Sequence, residues 1–132
     1  DVRWLRCLVW PGENGRRERL DAAIATARRD PPQVRAGDLL TDLPELRRQA
    51  PADATVVVFH SAVLAYVDSE RRREFADIVG SLGVVWLSNE APEVLPWVPA
   101  EERDRESFVL VRDGETVLAR TDGHGTWLEW LA

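Results

Sequence analysis

Thr55-Val56-Val57-Val58-Phe59 is an unbroken run of β-branched and aromatic residues with no polar alternation. A strand covered on both faces reads this way, whereas a strand with one face in water alternates apolar and polar side chains. The run therefore predicts a central strand of a parallel sheet. It gives way to His60-Ser61, and in open α/β sheets ligands sit beyond the carboxyl ends of the strands. His60 and Ser61 are the first candidates for a functional site.

The flanking segments supply helices and further strands. Val2, Leu5 and Val9, with Trp4 and Leu8 beside them, trace a helical stripe that Pro11-Gly12 ends. Cys7 in that apolar setting reads as a small core residue. Leu20, Ala23, Ile24 and Ala27 predict an amphipathic helix over 16–29, which Pro31-Pro32 stops. A short strand is expected over 33–40, ending in Gly37-Asp38. Asp42 as cap, Pro44 in the first turn and Glu45 closing a capping box then start a helix that runs to about 49. Ala62 to Tyr66 adds a helical turn, and Asp68 or Ser69 caps a helix whose Phe75, Ile78, Val79 and Leu82 share one face before Gly83 ends it.

Val84 to Leu87 is the next buried strand. Ser88-Asn89-Glu90 marks its polar carboxyl end, in the same relative place as His60-Ser61, so the two ends can share one crevice. The proline-rich, acidic stretch 91–106 predicts a loop over one end of the sheet, held down by Trp97. Strands at 107–112 and 115–120 join through Asp113-Gly114, a dipeptide suited to two-residue hairpin turns. After the turn Asp122-Gly123-His124-Gly125, residues 126–131 end the chain as a strand or tight turn.

Length and charge narrow the function classes. With 132 residues the chain is one domain's length, expected to form a single α/β domain over 1–132. It begins at Asp1 and contains no Met, which predicts a processed chain, a cut fragment or an engineered piece, and the resemblances described below add the expectation of a carboxyl-terminal fragment of a longer protein. A net charge of −6 gives no field that favours nucleic acid or an anionic membrane. Arg71-Arg72-Arg73, between Glu70 and Glu74, reads as a solvated helix face. One cysteine allows neither an internal disulfide nor a thiolate cluster, which fits a reducing, cytoplasmic setting. No run approaches the roughly 20 apolar residues of a membrane helix. The two His lack ligand spacing, so no metal site is expected.

The element order, with a Gly-Asp step after one strand and a closing antiparallel hairpin, resembles the second half of a class I S-adenosylmethionine-dependent methyltransferase. That resemblance implies a three-layer Rossmann-like mixed sheet, with parallel core strands plus the hairpin. More specifically, Val2-Arg3-Trp4-Leu5-Arg6-Cys7-Leu8-Val9-Trp10-Pro11, Arg35-Ala36-Gly37-Asp38-Leu39-Leu40, Val58-Phe59-His60-Ser61-Ala62-Val63-Leu64-Ala65-Tyr66, Trp86-Leu87-Ser88-Asn89-Glu90 and His124-Gly125-Thr126-Trp127-Leu128-Glu129-Trp130-Leu131 resemble the carboxyl-terminal part of a bacterial family of unknown function. It implies no activity.

The methyltransferase resemblance implies Gly37 and Asp38 as cofactor-side residues, Asp38 toward the adenine amino group. It also implies His60 and Ser61 beside the transferred methyl. The glycine-rich turn for the cofactor's methionine end is missing here, so S-adenosylmethionine is expected only for a longer parent protein and no cofactor for this chain alone. Where amino-group methyltransferases carry an Asn- or Asp-Pro-Pro-aromatic sequence, this chain has Phe59-His60-Ser61-Ala62.

The residues themselves leave two readings open at each position. His60 is a general base or a satisfied structural histidine. Ser61 lacks the flanking glycines of a nucleophile elbow. Asp38 is a ligand acid or the residue that stabilises a turn. Asn89 and Glu90 are candidate substrate contacts at the same strand end as His60-Ser61, and His124 is a turn residue or a further substrate contact, its flanking glycines allowing backbone to approach a ligand closely. Two functions follow: the cofactor-side half of a methyltransferase-like enzyme, or a noncatalytic Rossmann-like module for interaction or oligomerisation. The incomplete sheet predicts either direct pairing of the strands at 34–38 and 55–60 or cover by a homodimer partner or the missing amino-terminal half.

Overall fold

A computed structural model describes residues 2–99, 102 and 106–131. They form two compact units, Asp1–Ala36 and Gly37–Ala132. The first holds helices α1 (Val2–Cys7) and α2 (Asn14–Arg29), joined by an Arg6–Asp21 ion pair at 2.8 Å. Among the described side chains neither helix buries a large one; Trp4, Leu5, Leu8 and Trp10 are exposed, as is Cys7, so the expected core role of Cys7 does not hold.

The second unit is built on a five-stranded sheet in sequence order: β1 (Val57–Ser61), β2 (Val85–Glu90), β3 (Phe108–Arg112), β4 (Thr116–Thr121) and β5 (Leu128–Trp130). Only β1 and β2 run parallel; the other three pairings are antiparallel. This is a mixed α/β fold, but not the parallel core expected from the sequence. The unit also holds helices α3 (Leu43–Gln49) and α4 (Ser69–Ser81).

The expected strand at 33–40 is absent. Val34 is exposed, and Asp38 and Asp42 instead spend their side chains on local backbone bonds: Asp38 Oδ1 accepts from Leu40 N and Thr41 N, and Asp42 Oδ2 accepts from Asp38 N. Such bonds compete with ladder formation. They also remove Asp42 from the capping role, since its side chain makes no cap bond to α3. Glu45 pairs with Arg48 and accepts from Gln49. Direct pairing of residues 34–38 with β1 is thereby overturned.

β1 is an edge strand rather than a central one. Register decides which side chains share a face: Val58, His60, Trp86, Ser88, Glu90, Val109 and Val111 lie on one side, Val57, Phe59, Ser61, Leu87, Asn89, Leu110, Ala119 and Trp130 on the other. The first face is covered. Phe75 and Val79 of α4, Leu64, Leu40 and the segment containing Val94, Leu95 and Val98 pack there with Trp86, Val109 and Val111 into one core. β2 extends through Ser88-Asn89-Glu90, which the sequence placed beyond its end, because Ser88 and Glu90 point into that core.

Asp68 caps α4 by accepting from Arg71 N at 3.0 Å. Arg72 is not on a solvated face; its Nε donates to the carbonyls of Leu64 (2.9 Å) and Val67 (2.7 Å), and its Nη1 to Val94 (3.4 Å). Trp97 packs on Trp86 with ring centroids 5.4 Å apart, as the loop reading required. Glu102 takes a two-point ion pair from Arg120, at 2.7 and 2.9 Å, and that pairing holds the Arg120 guanidinium above its ordinary value. Residues 100, 101 and 103–105 of that loop lie outside the described residues.

The β3–β4 turn places Asp113 at φ 54° and Gly114 at φ 73°, the left-handed pair that matches strand twist. A Cβ on Gly114 would meet the Trp86 ring at 3.1 Å. Gly114→Ala is expected to cost about 1–3 kcal/mol, while Gly80→Ala, in a helix with open space around it, gains up to about 1 kcal/mol. Urea unfolding of both variants reads the opposite signs.

Candidate functional site

β1 and β2 end side by side, and their alternation divides the candidate residues between two faces. His60 faces the core, 9% exposed, and Glu90 lies beside it with no exposure at all. His60 Nδ1 is 2.7 Å from Glu90 Oε1, and His60 Nε2 is 2.9 Å from the Trp86 indole nitrogen. An indole N–H can only donate, so Nε2 accepts, and the ring proton sits on Nδ1 and is donated to the carboxylate. Phe75 closes the ring edge-on at 5.4 Å. Neither nitrogen is left to take a proton from a substrate.

Glu90 Oε1 also accepts from Val63 N at 2.9 Å and Leu64 N at 3.1 Å. These donors belong to the turn after β1, where Ala62 has φ 54° and Val63 is right-handed, so that successive N–H groups point at one anion. Burial pushes the Glu90 carboxyl up, but the His60, Val63 and Leu64 hydrogen bonds together outweigh it and hold the group below the ordinary glutamate value. Glu90 Oε2, Ser88 Oγ and Trp97 Nε1 are buried without a partner among the described residues.

Ser61 faces the other way. Its Oγ accepts from Asn89 Nδ2 at 3.1 Å, and Asn89 Oδ1 accepts from Thr121 Oγ1 at 2.8 Å. His60 and Ser61 thus sit on opposite sides of the sheet, too far around the strand to act as base and nucleophile. The strained residue of this strand–turn–helix segment is Ala62, which carries no nucleophile.

The remaining candidates make turns. Asp38 Oδ1 takes two backbone bonds and Oδ2 pairs with Arg71, and the Leu40 amide and Arg71 hold its carboxyl below the usual range. A Cβ on Gly37 would collide with the Asp42 carboxylate. With both Asp38 oxygens engaged, the pair does not fit the adenine-recognition role. His124 is exposed, its N–H donating to Asp122 Oδ2, which also accepts from the Thr126 hydroxyl and amide. The Thr126 bonds lower the Asp122 carboxyl. Among the described residues no group of three His, Cys, Asp or Glu can hold a metal ion.

The site-end residues that sequence reasoning missed are Trp86 and Arg72. Trp86 was hidden in an apolar strand, and Arg72 in a charge run. A family model described as an uncharacterised protein conserved in bacteria, DUF2332, matches residues 1–130. The chain belongs to this family. No curated protein and no solved structure matches it. In this DUF2332 chain, no helix among the described residues is long and apolar enough to cross a membrane.

Because the folded state favours ionised Glu90, the stability it contributes is full above the ordinary carboxyl value of about 4.3 and is lost as pH falls through the lower folded value. Glu90→Gln is expected to flatten the acid limb of the stability–pH curve below about pH 4.5. Glu90→Ala, which strips His60 and the amides of Val63 and Leu64 of their acceptor, is expected to cost about 3–5 kcal/mol. Denaturant melts at stepped pH check both.

Proposed function

We propose that the sheet unit is a noncatalytic packing module, which presents the exposed apolar side chains at the edges of its second sheet face to a partner surface. The observation that supports this reading is a mismatch on β1. Its sequence is apolar on both faces, yet Phe59 is 61% and Val57 50% exposed. On the same face at the other edge Leu128 and Trp130 are exposed as well. Covering one large apolar side chain is worth about 1.5–3 kcal/mol, and a partner surface recovers that energy. A solvated surface would not need this residue pattern.

In this proposal His60 ties strands together and Ser61 anchors Asn89; neither acts on a substrate. The methyltransferase-like and Rossmann-like readings draw less support, with a single parallel strand pair and Asp38 engaged in its own turn. Any use of S-adenosylmethionine belongs to residues outside this chain. The exposed thiol of Cys7 fits the reducing cytoplasm to which the proposal assigns the protein.

Calorimetric titration of the chain with S-adenosylmethionine can overturn the module reading, although with the glycine-rich turn missing the enzyme-half reading expects no binding by this chain either. No heat of binding is expected at millimolar cofactor. Micromolar binding that Asp38→Ala abolishes would overturn the module reading.

A further inference from the structure

β1 is an edge without the features that keep edges apart. Val85 N donates to Val56 O at 3.0 Å and Ala62 N to Asn89 O at 3.1 Å, which fixes the parallel ladder so that Val58 and His60 turn their backbone groups toward β2. The N–H and C=O groups of Val57, Phe59 and Ser61 point away from the sheet. Native edges are blunted by charge, proline, bulges or brevity. β5, the opposite edge, is three residues long with Glu129 at its middle, paired to Arg120. β1 is five residues long, in unbroken register, and the segment 54–67 contains no charged residue.

We propose that β1 pairs antiparallel with β1 of a second copy of this chain, about a twofold axis at Phe59, so that the two sheets become one. The inference rests on the packing-module reading and names its partner. A twofold at Phe59 sets residue 59 opposite itself and Val57 opposite Ser61, matching each outward N–H with an outward C=O. A net charge of −6 opposes contact between copies over most of the surface, and the uncharged segment 54–67 is where that repulsion is least. Pairing β1 with β5 of another copy would be heterologous and would build rings or filaments of several copies instead of a twofold pair. A five-residue ladder with Val57 and Phe59 buries less than the roughly 1,200–2,000 Å² of standard stable interfaces, so the dimer belongs to the weak, concentration-dependent class.

Sedimentation velocity from about 5 to 500 µM, a range suited to weak interfaces, tests it on the wild type, Phe59→Lys and Val57→Lys. The wild type is expected to pass from one chain to two. Both variants are expected to remain single chains, with at least one melting like the wild type. Amide exchange at Val57, Phe59 and Ser61 is expected to slow severalfold as the wild type associates. A wild type that stays single at the highest concentration, a larger assembly, a dimer that survives both lysines, or unprotected amides in the dimer would each overturn the proposal. Such a failure leaves the module reading standing, because that reading falls to cofactor binding instead.

Discussion

A carboxylate that never meets water holds the end of this sheet together. Glu90 Oε1 gathers the His60 ring and the amides of Val63 and Leu64, so one oxygen joins β2, β1 and the turn that leads toward α4. Buried ion-like pairs add little net stability, but breaking one strands a charge in a low-dielectric core. Their strength is in specification. A one-residue slip of β2 would swing Glu90 to the open face and leave three donors bare, so the network fixes the register of the parallel pair.

The same alternation separates the two candidate chemistries. On the covered side, His60 is enclosed by Trp86, Phe75 and Glu90, with both nitrogens engaged. On the open side, Ser61, Asn89 and Thr121 form a polar row across a face that also carries Phe59, Leu87, Leu110 and Trp130. A base and a nucleophile that the sequence sets next to each other are therefore parted by the sheet itself.

Local signals were legible in the sequence. The periodicity of Phe75 and Val79 found α4, Asp68 found its cap, and Asp113-Gly114 found the hairpin turn, because each depends on residues near in sequence. Long-range choices were not. Nothing near Val34 announced that Asp38 and Asp42 would bind their own backbone and end a strand before it formed. Polar Ser88-Asn89-Glu90 looked like a strand end, since the partners that make Glu90 tolerable inside lie 26–30 residues away. The apolar run at 55–59 reported side chains suited to burial on both faces, yet on one face Val57 and Phe59 are exposed. It could not report that cover for that face is missing from this unit.

In the packing-module reading His60 is a tie and not a base. Long-range proton–nitrogen NMR of the imidazole at neutral pH measures this directly. The network predicts a proton on Nδ1, a bare Nε2, and a Trp86 indole proton shifted by its hydrogen bond to that nitrogen. A proton found on Nε2, or a Trp86 indole proton that exchanges like one in free solvent, would contradict it.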